Sequence, residues 1–227
     1  MYKAVIFDLD GTILDTLEDL WASVNYALLK HDFPTRTIDE VREFVGNGIK
    51  KLIERAVPCN TDEQTVELVL DTFKKHYSVN SDVNTKPYAG ITDCLEKLKQ
   101  DGIKIAVVTN KAHFAAVPLC QKYFGNVIDV TIGEREGVRK KPYPDTVFEA
   151  MEHIGVNVSE CVYIGDSDVD IQTAKNAGID CISVTWGFRS EEFLKSFGAV
   201  NIVNNVEDMY GLIKKAGGAC TQFASRI

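Results

Sequence analysis

Short apolar runs punctuate the chain at "AVIF" (4–7), "IKIAVVT" (103–109), "VIDVTI" (127–132), "CVYIG" (161–165) and "CISVTW" (181–186). Each has the length and the β-branched content of a strand buried on both faces. Between most of them the apolar positions recur at helical spacing, as in "ITDCLEKLKQDG" ending at Gly102 and "PDTVFEAMEHIG" ending at Gly155. In both, glycine stands where a helix C-terminus favours a left-handed residue. Strands alternating with helices in this way predict an α/β fold, a Rossmann-like, doubly wound parallel sheet.

The stretch 16–85 breaks the rhythm, with no convincing strand and four helix-like segments in succession. "TIDE" (37–40) and "TDEQ" (61–64) fit the capping-box pattern that opens a helix, and Val69, Phe73 and Tyr77 share one helical face. That stripe reads as packing rather than as a ligand site. The pattern therefore predicts a core domain made of 1–15 and 86–227, with 16–85 as an inserted helical unit joined by short hinges near 15–18 and 80–86. After Gly217 the tail "GACTQFASRI" has little periodicity and reads as loose.

With 227 residues, 45% of them hydrophobic, the chain can bury a sizeable core. Its formal net charge of -8 and the lack of a Lys/Arg run argue against a nucleic-acid surface. No apolar run reaches the roughly 18 residues a membrane helix needs, and the N-terminus lacks a signal-peptide pattern. A soluble, cytoplasmic protein is expected. The six cysteines, Cys59, Cys94, Cys120, Cys161, Cys181 and Cys220, show no C-x-x-C pair and no metal-ligand spacing with the four histidines. They read as reduced, structural thiols.

Ligands of an open parallel sheet collect at the carboxyl ends of its strands. The first run delivers Asp8 and Asp10, the second Thr109 and Asn110, and "CVYIG" delivers Asp166, Ser167, Asp168 and Asp170; Lys140 and Lys141 precede Pro142 in the loop before a helix. Two carboxylates so close repel each other unless a cation or hydrogen-bond donors intervene. Carboxylates, a hydroxyl and an ammonium on one edge match phosphoryl transfer: a carboxylate nucleophile, hard oxygen ligands for Mg²⁺, and Thr and Lys donors for phosphoryl oxygens.

These residues resemble the four motifs of the haloacid dehalogenase superfamily of aspartate-nucleophile phosphatases: D-x-D-G-T, a strand-end Ser/Thr, Lys, and G-D-x-x-x-D. Here they are "DLDGT" (8–12), Thr109 in "VVTNK", Lys141 in "KKP" and "GDSDVD" (165–170). "REFVGNGIKKLIERA" (42–56), "KPYAGI" (86–91) and "VTNKAHFAAVPL" (108–119) look like the phosphoglycolate phosphatase branch. The resemblance implies that Asp8 is the nucleophile and Asp10 the acid, then the base. It implies Mg²⁺ held by Asp8, the backbone carbonyl of Asp10 and Asp166, with Asp170 supporting. Thr109 and Lys141 would bind the phosphoryl oxygens, with further donors around Asn110.

The insertion corresponds in position to the small cap of one branch of the superfamily, which closes the site from water and contacts substrate. Gly46, Asn47 and Gly48, between two expected cap helices, are candidates for backbone contact with substrate, and Lys50 is the candidate cation for a second anionic group. His113 is a candidate only as a helix-start residue that could face the cavity. The leading expectation is a Mg²⁺-dependent phosphatase of a small phosphorylated metabolite, first 2-phosphoglycolate. A sugar phosphomutase or a pyrophosphatase would use the same motifs, and a phosphoacceptor signalling domain shares the Asp, Thr and Lys but not Asp10 or the cap. Nothing in the sequence marks oligomeric state.

Overall fold

The computed structural model describes residues 2–215; Cys220 and the tail after Gly217 lie outside the described residues. Among these a six-stranded parallel sheet forms the centre, with strands β1 (Ala4–Phe7), β4 (Lys104–Ala112), β5 (Val130–Glu134), β6 (Cys161–Gly165), β7 (Asp180–Val184) and β8 (Asn201–Val203) in the order β5-β4-β1-β6-β7-β8. Successive side chains of a strand point to opposite faces. In β1, Val5 and Phe7 accordingly join one apolar cluster and Ala4 and Ile6 another. The first cluster is closed by α5 (Ile91–Gln100), α6 (His113–Phe124) and α10 (Val206–Lys215), the second by α7 (Asp145–Ile154) and α8 (Asp168–Ala177). This is the doubly wound α/β arrangement that the alternating pattern predicts.

Two strand boundaries differ from the apolar runs. β5 begins at Val130 because Gly125–Val127 coil into a 3₁₀ turn, and β4 continues through Thr109 and Lys111 with a register irregularity between Val108 and Ala112. α9 (Glu191–Ser196) follows β7 and leads into β8, a strand of three residues with no apolar run to announce it.

The four helices of the inserted stretch are α1 (Leu17–Lys30), α2 (Ile38–Phe44), α3 (Ile49–Ala56) and α4 (Glu63–Asn80). Their inward side chains, from Leu17 to Tyr77, share an apolar cluster of their own that includes Val69 and Phe73. Thr37 and Glu40 form the reciprocal capping box that starts α2. α4 is capped one residue later than its pattern suggests: the Asp62 carboxylate accepts from Thr65 N at 3.0 Å, while the Thr61 hydroxyl donates to the Pro58 carbonyl. Both roots of this helical stretch carry two-residue strands, β2 (Leu14–Asp15) and β3 (Lys86–Pro87), paired antiparallel. Among the described residues no helix is long and apolar enough to cross a membrane.

Candidate active site

Register assembles the site. Phe7 is level with both Val107 and Ile164, so Asp8, Thr109 and Asp166 emerge from three adjacent strands at one edge. The Asp8 amide donates to the Ile164 carbonyl at 2.8 Å, which fixes the height at which its carboxylate leaves the sheet. Asp170 lies in the first turn of α8, where its carboxylate accepts from the Ser167 amide and hydroxyl. That capping box holds Asp170 fully buried beneath the strand ends.

Lys141, on the loop between β5 and α7, reaches this carboxylate group. Its Nζ lies 2.8 Å from Asp8 Oδ1 and 2.7 Å from Asp170 Oδ1, and donates to Tyr163 OH at 3.0 Å. Tyr163 and Asp170 take hydrogen bonds from the ammonium, and Asp8 faces it as an ion pair. Burial opposes the charge on Lys141, but Asp170 and Asp8 overcome it and hold the ammonium well above its ordinary range.

Carboxylate oxygens of Asp8, Asp166 and Asp170 all lie within 4.8 Å of one another, and all three residues are buried. Burial pushes the Asp8 carboxyl up to about 7, with Lys141 pulling down and Asp170 pushing up. Asp166 rises to about 8 through burial and the charges of Asp170 and Asp8, although the Phe188 amide donates to its Oδ2 at 2.6 Å. The Thr12 hydroxyl donates to Asp166 Oδ1 at 3.2 Å. Buried hard oxygen donors in mutual repulsion are a fitting set for a small divalent cation such as Mg²⁺.

Asp10 lines the same cavity as Asp8. Its Oδ1 accepts from Thr16 Oγ1 at 2.7 Å and from Lys111 Nζ at 3.0 Å, and Lys111 also donates to Tyr77 OH on α4. Thr109 lines the same cavity and takes the Lys111 amide on its hydroxyl at 3.1 Å. Both side-chain amide protons of Asn110 are engaged, one by the Gly46 carbonyl and one by the Lys141 carbonyl, each at 3.1 Å. The Asn110 side chain thus ties three chain segments together rather than offering N–H groups to a ligand. Asp168 is half-buried at the start of α8, and His113 opens α6 with its Nδ1 accepting from the Gly133 amide at 3.2 Å.

The helical stretch covers this edge. Val45, Gly46, Gly48, Ile49 and Leu52 line a narrow cavity of about 40 Å³ together with Asp8, Asp10 and the residues just described; Asn47 does not. Gly48 has φ +86°, and a Cβ there would lie 2.7 Å from Glu134 Oε2 and 2.9 Å from Lys140 Nζ, so the backbone of the helical stretch rests directly on that ion pair. Lys50 is not brought to the cavity. In the first turn of α3 it points toward α4, half-exposed, with its Nζ 2.6 Å from Glu67 Oε1 and 4.0 Å from Glu63 Oε1.

Three participants escape sequence reasoning. Lys111 stands beside Thr109-Asn110, yet only the fold sets it against Asp10. Tyr77 ends the apolar stripe of α4, and its hydroxyl leaves the core to meet Lys111. Arg189, after β7, donates from its guanidinium to the carbonyls of Arg42, Glu43 and Val45 at 2.8, 3.3 and 2.7 Å. It caps the C-terminal end of α2, whose acceptors are main-chain atoms that leave no mark in a sequence.

Among the described residues the cysteines take no part: Cys94, Cys120 and Cys161 are buried free thiols, Cys181 is half-buried, and Cys59 is exposed.

This architecture recurs in known proteins. The model of the haloacid dehalogenase-like hydrolase family matches residues 5–184. The phosphoglycolate phosphatase of Pseudomonas putida is 34% identical over 192 residues, covering 82% of this chain and 70% of the relative. That of Colwellia psychrerythraea is 33% identical over 203 residues, covering 86% and 90%. A crystal structure from Lactobacillus delbrueckii subsp. bulgaricus, of a protein provisionally named a phosphoglycolate phosphatase, superimposes with a TM-score of 0.89 at 37% identity over 93% of this chain and 98% of its own. With strand-end carboxylates, Thr109 and Lys141 already gathered at one sheet edge, these matches establish that the chain belongs to the haloacid dehalogenase-like hydrolase family and is an enzyme of the phosphatase type.

Proposed function

We propose that the enzyme hydrolyses a small phosphomonoester, 2-phosphoglycolate first, through a phosphoryl group carried on Asp8. The observation that carries this reading is the placement of Lys141 between Asp8 and Asp170, at 2.8 and 2.7 Å. One cation there orients the attacking carboxylate and stands ready for a phosphoryl oxygen. The names of the relatives from Pseudomonas putida and Colwellia psychrerythraea support the choice of substrate.

In this scheme an Asp8 oxygen forms a bond to phosphorus while the ester P–O bond breaks and its electron pair leaves on the alcohol oxygen. Asp10 gives that oxygen a proton. Water then attacks the phosphorus and gives a proton to Asp10, and the bond to Asp8 breaks to release phosphate. Thr109 and Lys141 bind the phosphoryl oxygens, and Thr16 orients the Asp10 carboxyl. Asp8, Asp166 and the main-chain carbonyl of Asp10 would hold Mg²⁺, with Asp170 alongside. When bound, the ion supplies positive charge against the carboxylates and the phosphoryl oxygens. Residues 16–85 act as the cap that excludes water from this edge.

The test combines two variants. Asp8→Asn loses nearly all turnover with the fold retained. Asp10→Asn leaves the nucleophile intact, so an aryl phosphate, whose leaving group needs no proton, still phosphorylates Asp8, and rapid quenching traps the covalent form. Near-wild-type turnover by Asp8→Asn, or no phosphoryl-enzyme in Asp10→Asn, overturns the scheme. Isomerised sugar phosphate in place of free phosphate would make the enzyme a mutase.

A further inference from the structure

We propose that Lys111 is the specificity-determining residue that receives a carboxylate on the departing part of the substrate. The inference rests on the reading of the site as that of a phosphatase for a small, doubly anionic ester, and deepens it. Among the described residues three cations line the cavity: Lys141, Arg189 and Lys111. Lys141 is committed to the phosphoryl side, with Asp8, Asp170 and Tyr163 around it, and Arg189 is anchored to the carbonyls at the end of α2. Lys111 has two polar partners, Asp10 Oδ1 and Tyr77 OH, for three ammonium protons. A donor is left over on a side chain only 3% exposed.

Position makes the same distinction. Lys141 stands at Asp8, on the side where the phosphoryl group is transferred. Lys111 stands at Asp10, on the side where the ester oxygen departs, so it faces the rest of the substrate. Asp10 keeps the Thr16 hydroxyl at 2.7 Å when the ammonium turns to a ligand. Tyr77 supplies both a hydroxyl and a ring face, its centroid 4.7 Å from Lys111 Nζ. The ammonium is thereby steadied without a second fixed anion. A substrate carboxylate offers Lys111 a charge-assisted bond equivalent to the one it makes with Asp10. A neutral leaving group offers nothing, and the ammonium stays on Asp10. Because Tyr77 belongs to α4 and Lys111 to β4, this receptor is complete only when the helical stretch lies on the sheet edge.

The test compares kcat/KM for 2-phosphoglycolate with that for 2-hydroxyethyl phosphate, a neutral analogue of the same length, using the full chain. Both substrates are expected to lose rate in Lys111→Met, since Asp10 loses a neighbour, so the ratio is the readout. In wild type the ratio favours 2-phosphoglycolate; in Lys111→Met it falls by roughly tenfold or more, and Lys111→Arg restores much of it. Equal losses on both substrates would overturn the proposal and leave Lys111 acting through Asp10 alone. Wild type that hydrolyses both esters equally well would remove the carboxylate reading and the proposal with it, leaving the phosphatase standing. Should Lys111→Met not fold, Tyr77→Phe decides: it keeps the ring and removes the hydroxyl. A several-fold fall in the ratio supports the assignment and an unchanged ratio overturns it.

Discussion

Thr85 donates both its backbone amide, at 2.9 Å, and its hydroxyl, at 2.8 Å, to one carboxylate oxygen of Asp19. The two residues belong to opposite roots of the helical stretch, and the same carboxylate also accepts from the amides of Val83 and Asn84. Asp19 is 2% exposed, so its removal strands several donors away from water. Asp19→Ala is expected to destabilise the protein by about 2–4 kcal/mol. Denaturant unfolding checks this through a lower midpoint; an unchanged midpoint would mean that water replaces the carboxylate at no cost.

Gly187 gives a sharper local prediction. A Cβ there would lie 2.3 Å from the Gly11 carbonyl oxygen and 2.4 Å from Asp166 Cβ. Neither neighbour is a flexible side-chain end, so Gly187→Ala must displace the loop that presents the Phe188 amide to Asp166. A loss of roughly a hundredfold or more in kcat/KM is expected, of the size that follows when a reacting group moves by about 1 Å. Gly211→Ala is the contrast. Among the described residues nothing lies within 4 Å of a Cβ in that position on α10, and alanine in a helix is worth about 0.5–1 kcal/mol over glycine. The second variant should therefore be more stable with normal activity.

Arg189→Ala removes the grip on the end of α2 without touching a carboxylate of the site. Both kcat and KM are expected to change, because a loosened cover raises the cost of reaching the closed arrangement and lets water in. Steady-state kinetics showing both constants within twofold of wild type would leave the guanidinium a purely structural cap.

Metal removal tests the carboxylate group. EDTA should abolish phosphate release and Mg²⁺ restore it, while excess Ca²⁺, which favours more ligands and looser geometry, should inhibit. Mg²⁺ should also raise Tm by mass action, and Asp166→Asn should suppress that rise. Release unaffected by chelation, or a Tm indifferent to Mg²⁺, would count against Asp166 as a ligand.

What could be read in advance follows from where the information resides. Apolar runs and strand-end polar residues are local, so the sheet and the gathering of Asp8, Thr109, Lys141 and Asp166 were visible in the bare chain. β2, β3 and β8 were not, because two or three residues carry too little periodicity to register. Lys50 was chosen for its nearness in sequence to Gly46 and Gly48. The direction in which the first turn of α3 aims its side chains sends it to Glu67 instead. Lys111 and Tyr77 are separated by 34 residues, and only tertiary packing brings an ordinary lysine and the last member of a packing stripe into contact.

A cavity of about 40 Å³ has room for no more than a few water molecules, on the order of 10–15 Å³ being needed for each. A phosphate ester is several times larger. With Arg189 holding the end of α2, little room is left over the strand ends, and a wider shape of this cover would admit substrate and release product once each per cycle. Where that opening is slower than the chemistry, throughput is set by how often the doorway opens rather than by how fast phosphorus changes partners. Medium viscosity, which slows such a gate and leaves bond-making alone, becomes a dial on the rate.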